Sequence, residues 1–193
     1  MRRDARVRFD LARHLYTDPA TGEVLPHITG MLEDTGWIDS TWYDAQGAAR
    51  GTAVHALTKD YDLGMRALNS DWDRYRGYVV AHIAAMDRLQ PTWTEIEEAH
   101  IHPTLRFGGR PDRVGTISGR RSIVDEKTGT PRKADAIQTA LQAILISSVY
   151  DLPPRYWVRQ AWYLRRNGKP KIVPFDNPHD ITIAEGIVKE CCR

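Results

Sequence analysis

Residues 109–129 read Gly-Arg-Pro-Asp-Arg-Val-Gly-Thr-Ile-Ser-Gly-Arg-Arg-Ser-Ile-Val-Asp-Glu-Lys-Thr-Gly, and the pattern inside them decides how the rest of the chain is read. Arg113 to Ile117 has strand character, Ser118-Gly119-Arg120 has the composition of a tight turn, and Ser122 to Asp125 reads as the returning strand of a hairpin. Side chains alternate between the faces of a strand, so Asp125 and Lys127 point one way and Glu126 the other. The hairpin brings Asp112 alongside Asp125. Two carboxylates at neighbouring strand ends form a hard, oxygen-rich site suited to Mg²⁺ or Mn²⁺. An ion held there binds a phosphate oxygen, lowers the pKa of a coordinated water and stabilises charge in phosphodiester hydrolysis. Lys127, on the same face, positions the attacking water or neutralises developing charge. A bare Asp-x-Lys is more often a charge pair on a solvated strand, so the decision falls to its neighbours.

Those neighbours occur in order along the chain. Arg50-Gly51-Thr52-Ala53-Val54-His55 places a Gly-x-x-x-His on a helical stretch upstream, and Ala136-Ile137-Gln138-Thr139-Ala140 opens a helix downstream that carries a glutamine. With Gly109-x-Pro111-Asp112, and Asp125-x-Lys127-Thr128-Gly129 beginning thirteen residues on, the chain resembles the PD-(D/E)XK nuclease superfamily, in its RecB-like and phage-type exonuclease branch. Pro26 to Leu32 and the strand-like Arg155 to Leu164 also look like the phage group, so the resemblance runs from about Tyr16 to the last helix.

The resemblance implies an α/β, restriction-endonuclease-like fold: a central mixed sheet flanked by helices, with a helical N-terminal portion. It implies Asp112, Asp125, Lys127 and Gln138 as catalytic residues. His55, Asp112, Asp125 and the main-chain carbonyl of Glu126 become metal ligands, for Mg²⁺ or Mn²⁺. An acidic residue on the preceding strand often joins them. Glu97 and Glu98 are the candidates, alternation admits only one, and Glu98 is favoured. Arg110, Arg113, Arg132 and Lys133 are the candidate DNA contacts. The implied activity is metal-dependent DNA hydrolysis, as an exonuclease acting on ends in phage recombination or repair. DNA is the implied partner, alongside a single-strand annealing or other recombination protein, and an oligomer is compatible with the family. The alternatives are a nuclease fold kept as a DNA-binding or assembly module, and a structure-specific endonuclease.

Two positions depart from the family pattern. Gln142 stands where a tyrosine commonly follows the glutamine, and Glu126 occupies a motif position that is often apolar because it faces the core. A buried, unpaired carboxylate is costly, so Glu126 is expected to reach solvent or a cation, Arg113 or an arginine of the 120–121 turn.

Composition agrees with an enzyme of one domain, residues 1–193, whose first 90 residues are mainly helical and whose residues 91–193 hold the sheet and the site. The chain has 193 residues, 41% of them hydrophobic, enough for a substantial core. Its net charge of +2 is unevenly spread: residues 1–100 hold 11 Lys/Arg against 16 Asp/Glu, and residues 101–193 hold 16 against 9. The basic half carries the motif, as a phosphate-backbone partner requires. Only Cys191 and Cys192 occur, adjacent, which excludes the four-cysteine clamp of an iron–sulfur cluster. No apolar run reaches membrane-spanning length and no signal-peptide core occurs, so a reducing cytoplasm is the expected compartment, the host's if the chain is phage-encoded.

The remaining elements follow from local signals. Asp18 to Gly22 is a turn between Leu15-Tyr16 and Val24-Leu25, giving a small hairpin. A short helix capped by Thr29 should follow, then a helix from about Ser40 to Tyr61 interrupted by Gly47 and Gly51, whose glycines permit close approach of another backbone or of DNA near His55. Asp71 to Leu89 carries a helical apolar stripe, and Gln90-Pro91 ends it. Three strands lead through Glu98, Asp112 and Asp125, and Lys133 to Val149 is the long helix behind them. Arg155 to Leu164 and Ile172 to Phe175 form a hairpin, and Asp180 is the expected cap of the last helix. The arginines at 2, 3, 6, 8 and 13 read as a basic arm or a frayed terminus. Trp37, Trp42 and Trp93 read as packing residues rather than base-stacking platforms.

Overall fold

The computed structural model describes residues 8–10, 13, 15–39, 44–65 and 71–192; Arg2, Arg3, Arg6, Trp42 and the expected helix start at Ser40 lie outside the described residues. Three short strands, β1 (Arg8–Asp10), β2 (Leu15–Thr17) and β3 (Val24–Leu25), form a small antiparallel sheet. The expected hairpin is its β2–β3 half. Arg106 ties down the intervening turn by pairing with Asp18 and Glu23, each at 2.6 Å. The first helix, α1 (Ile28–Asp34), is capped by His27 rather than Thr29: Gly30 N–H donates to His27 Nδ1 at 3.1 Å. Helix α2 (Ala45–Asp62) begins at Asp44, whose carboxylate accepts from the amides of Gln46 and Gly47, and it runs unbroken through both glycines. At Gly51 an added Cβ would meet only Thr128 Oγ1, at 3.9 Å, so outside its own helix no backbone of the described residues approaches there.

Helix α3 (Asp71–Leu89) follows, then β4 (Thr92–Ile96) and a minor pair, β5 (His100–Ile101) with β6 (Gly108–Gly109). The hairpin of β7 (Arg113–Ile117) and β8 (Arg120–Lys127) closes with a two-residue loop in which Ser118 and Gly119 both have positive φ, 50° and 73°. That matches the right-handed twist of the strands, as a primed turn requires. Helix α4 (Lys133–Tyr150) crosses over to a single turn of 3-10 helix at Pro154–Tyr156, so β9 (Val158–Tyr163) starts later than Arg155. Strand β10 (Lys171–Phe175) and helix α5 (His179–Cys191) complete the chain. Asp180 does not cap α5. Its carboxylate accepts from Arg159 at 2.9 Å.

The central sheet has the order β10-β9-β8-β7-β4, antiparallel except for the parallel β8–β9 pair that α4 connects. This mixed sheet between helical layers is the restriction-endonuclease-like arrangement. Helices α1, α4 and α5 bury Ile28, Leu32, Ile137, Leu141, Ile144 and Ile187 against one another, and α4 also covers Val114 and Ile123 of the sheet. On the opposite face Val54 and Leu57 of α2 and Val79 and Ala85 of α3 pack on Val124, Ile117 and Trp162. Gly77 permits α3 to lie against the β9–β10 turn, because a Cβ there would stand 1.8 Å from the Arg166 carbonyl oxygen.

Strand β8 is therefore covered on both faces, and Glu126 is buried beneath α2 and α3. Its cations are His82 and Arg113, not the arginines of the 120–121 turn. His82 Nδ1 lies 2.6 Å from Glu126 Oε1 and His82 Nε2 lies 2.8 Å from Asp62 Oδ1. Both partners are carboxylates, so both ring nitrogens donate and the imidazole is the charged form. Arg113 Nε donates to Asp62 at 2.6 Å, and Thr58 donates to Glu126 Oε2 at 2.7 Å while accepting from Arg113 Nη2 at 3.2 Å. Two cations and two carboxylates thus neutralise one another inside the core. Burial opposes charge on His82, but Glu126 and Asp62 outweigh it and raise its pKa to about 9. Burial likewise opposes the charge on Glu126, yet His82 and Arg113 hold it well below the usual carboxylate range.

Removing one member leaves a net buried charge, which typically costs about 3–5 kcal/mol. Glu126→Leu and His82→Leu should each destabilise by about that much in urea unfolding, whereas the double variant, leaving the neutral Arg113–Asp62 pair, should lose less than the sum of the two. The His82 pKa is raised on folding, so its stabilisation is complete below its ordinary value of 6.5 and is lost as pH rises through about 9. The wild-type unfolding midpoint should fall across that window, and His82→Leu should make the slope shallower, leaving the part that His55, also raised to about 9, contributes.

Candidate active site

Strand alternation sends Asp125 and Lys127 toward α4, while the Glu126 side chain enters the opposite layer. A cleft of about 830 Å³ opens at the end of β8, between α2 and the start of α4. Asp112 does not lie within a strand; it stands immediately before β7, and its Oδ2 accepts the Glu126 N–H at 2.7 Å. Gly109 sets the approach to it: a Cβ there would be 2.5 Å from Ile28 Cδ1 and 2.8 Å from Leu145 Cδ2.

His55 reaches across from α2. Its Nε2 lies 3.1 Å from the main-chain carbonyl of Glu126, which can only accept, so that nitrogen carries the proton. Its Nδ1 faces Asp112 Oδ1 at 3.3 Å and Glu97 Oε1 at 3.8 Å. The ligand atoms of His55, Glu97 and Asp112 lie within 4.8 Å of one another. Ligands about 2.1 Å from a shared ion stand about 3–4.2 Å apart, so this mixed nitrogen–oxygen set fits a divalent cation with little movement.

The acidic residue that joins the cluster is Glu97. Strand β4 ends at Ile96, and Glu97, at φ 52°, leaves the pleat and donates its N–H to the Asp112 carbonyl at 2.9 Å. Glu98, favoured from sequence, is exposed and absent from the cleft wall. Lys59 and Arg110 flank Glu97 at 3.4 and 3.6 Å.

Asp125 and Lys127 form a second group beside the first. Lys127 Nζ lies 2.6 Å from Asp125 Oδ2 and donates to Gln138 Oε1 at 2.8 Å. Asp125 Oδ1 accepts from Gln138 Nε2 at 3.1 Å and from Gln142 Nε2 at 2.9 Å. Burial raises the Asp125 pKa, only partly offset by Lys127. For Asp112 burial acts in the same direction, but the charge and hydrogen bond of His55 outweigh it and lower its pKa. Burial disfavours the His55 cation, and the carboxylates around it, Asp112 first, raise its pKa to about 9 all the same. Lys127 is likewise raised, Asp125 outweighing burial, and is an ammonium at neutral pH.

Of the arginines and lysine expected to touch DNA, Arg110 and Arg132 line the cleft, Arg110 also stacking over Phe9 with its Cζ 5.2 Å from the ring centre. Lys133 is exposed at the start of α4 and outside the cleft wall. Arg113 is fully buried in the ionic cluster and cannot meet a phosphate. Arg50 was not singled out in sequence, yet it lines the cleft, with its Nε 3.4 Å from Thr128 Oγ1. Its place beside the Gly-x-x-x-His was the available signal. No described helix is long and apolar enough to cross a membrane.

A sequence search finds no significant match among proteins of curated function. Two solved structures are similar to this chain at low identity. An alkaline exonuclease from Laribacter hongkongensis is 13% identical, with 85% of this chain and 84% of that one covered at a TM-score of 0.45. A candidate exonuclease from Eubacterium rectale is 14% identical, with 83% and 69% covered at a TM-score of 0.47. The family model described as the PD-(D/E)XK nuclease superfamily matches residues 37–175, a span that holds His55, Glu97, Asp112, Asp125, Lys127 and Gln138 together, and the chain belongs to that superfamily.

Proposed function

We propose that the protein is a divalent-metal-dependent deoxyribonuclease, a single nuclease domain that acts as an exonuclease on DNA ends in phage recombination or repair, in the cytoplasm of the host. The observation that carries the reading is the joint presence, in one cleft, of the His55–Glu97–Asp112 cluster and the Asp125–Lys127 pair. Histidine and two carboxylates suit Mn²⁺ well and Mg²⁺ adequately, nitrogen being the less natural donor for Mg²⁺. When bound, Mg²⁺ or Mn²⁺ supplies Lewis-acid stabilisation of the phosphoryl oxygens and a more acidic water. Asp125, on the neighbouring strand, is the fourth side chain able to turn toward that ion, and the Glu126 carbonyl serves by fixing the His55 ring.

Lys127 is charged, gives one N–H to Gln138 and pairs by charge with Asp125 at 2.6 Å, which leaves N–H capacity for the attacking water or a non-bridging phosphate oxygen. It therefore orients and stabilises rather than removes a proton. Attack in line with the 3′ oxygen leaves a 5′-phosphate. Arg50, Arg110 and Arg132 on the cleft wall supply positive charge for the adjoining backbone. DNA is the partner this chemistry needs, and a single-strand annealing or other recombination protein, or further copies of the chain, would act with it. The departures at Glu126 and Gln142 do not favour a non-catalytic module, since both side chains are built into the site's surroundings.

Purified protein should degrade end-labelled linear DNA in Mg²⁺ or Mn²⁺, spare closed circular DNA, and stop with chelator. Cleavage of circles at the linear rate would replace the exonuclease by an endonuclease. Asp125→Ala and Lys127→Ala should each lower kcat by about 10²–10³-fold or more. Full activity in either would remove that residue from the mechanism. In calorimetry Glu97→Gln should weaken Mn²⁺ binding by at least about tenfold while Glu98→Gln leaves it unchanged; the reverse order would restore Glu98.

A further inference from the structure

Helix α4 presents Gln138 and Gln142 one turn apart, on the face that meets β8. Both amides converge on one oxygen of one carboxylate: Asp125 Oδ1 receives Gln138 Nε2 at 3.1 Å and Gln142 Nε2 at 2.9 Å. The other oxygen, Oδ2, is equally buried, makes no hydrogen bond of acceptable angle, and lies 2.6 Å from Lys127 Nζ. The two oxygens of Asp125 are thus held differently, one by neutral donors from the helix and one by the cleft's ammonium.

Gln142 has no packing reason to be polar. It is 3% exposed and its neighbours along α4, Leu141, Ala143, Leu145 and Ile146, are buried apolar residues. Its Oε1 is buried and meets no donor among the described residues. One end of the amide is therefore left unpaired, and its other end donates to the buried Asp125 carboxylate. Among the described residues its side-chain hydrogen bond goes to one functional group, the Asp125 carboxylate.

We propose that Gln142 is a positioning residue for Asp125: with Gln138 it forms a two-amide clamp that fixes Oδ1, sets the rotation of the carboxylate, and leaves Oδ2 to serve Lys127 and a divalent cation. The proposal rests on the metal-dependent reading above. It gives a role to the position where the superfamily commonly carries a tyrosine. A phenol presents its one O–H donor on a rigid arm, whereas the amide of Gln142 presents an N–H donor to Asp125 on a flexible one.

The test compares wild type with Gln142→Leu, which keeps volume and removes the amide, and Gln142→Glu, which keeps shape and replaces the donor by an acceptor. Mn²⁺ binding by calorimetry and urea unfolding are measured first. Both variants should bind Mn²⁺ about 10- to 100-fold more weakly, as losing a group that orients a ligand typically does. Gln142→Leu should unfold cooperatively at a modestly lower urea midpoint, having lost one hydrogen bond to a buried carboxylate, and Gln142→Tyr should recover most of the affinity by returning a donor. In DNA cleavage Gln142→Leu should lower kcat with KM for DNA unchanged. Wild-type Mn²⁺ affinity in both Gln142→Leu and Gln142→Glu would overturn the clamp, as would weakened binding accompanied by loss of cooperative unfolding in Gln142→Leu and no recovery in Gln142→Tyr. A wild-type protein that binds Mn²⁺ but does not cut DNA would sink the nuclease reading and leave the clamp standing. A wild-type protein with no Mn²⁺ binding at millimolar concentration would remove both.

Discussion

Burial of β8 on both faces is the constraint on which the rest of the molecule depends. Asp125 and Glu126 are adjacent, both are almost wholly inaccessible, and alternation forces them into opposite helical layers. Each layer must then supply a separate answer to a buried charge. On the α4 side the answer is local and tied to the cleft: two glutamine amides and a lysine. On the α2–α3 side it is a closed cluster of His82, Arg113, Asp62 and Thr58, with no solvent contact. The two solutions meet at the backbone. Asp112 accepts the Glu126 N–H, and Arg113 donates to the Asp112 carbonyl at 2.9 Å, so the cluster under the sheet also fixes the carboxylate at its edge.

Seen this way, the two departures from the superfamily pattern are not blemishes on the site. A buried glutamate inside the motif is tolerable because its neighbours supply two cations of compatible geometry. Such a cluster gains little net stability over an apolar core, but it is intolerant of misregister, since any slip of β8 would strand several charges at once. The same strictness that makes Glu126 expensive makes the position of His55 definite, because the carbonyl of Glu126 holds its Nε2.

Much of this was legible in the sequence, and the portions that were not have specific causes. The hairpin, its turn, the crossover helix and the pairing of Asp125 with Lys127 followed from strand period and turn chemistry, which are local. The choice between Glu97 and Glu98 failed because it assumed that strand alternation continued past Ile96; a left-handed residue at Glu97 breaks the pleat, and nothing but tertiary contact enforces it. Sequence makes Arg113 both a candidate DNA contact and a candidate cation for Glu126, because an arginine beside an acidic motif suits either, and its burial decides for the second. Its partner Asp62 is 51 residues away and Glu126's partner His82 is 44 residues away, separations at which sequence carries no pairing signal. The caps at His27 and Asp44 illustrate the lesser case, in which the element is predictable and its first residue is not.

The distances along the chain within the Glu126 cluster also bear on when the cleft comes into existence. His55 meets the Glu126 carbonyl across 71 residues and Thr58 meets its carboxylate across 68, so neither contact can precede the docking of α2 onto a finished β8. Closing loops of that size is entropically unfavourable until the intervening hairpin and α3 are in place. A chain still being synthesised would hold the Asp-x-Lys strand without the histidine's orientation or the carboxylate's counter-charges. The orientation of His55 and the neutralisation of Glu126 are thus properties of the docked tertiary structure and not of the Asp-x-Lys strand itself.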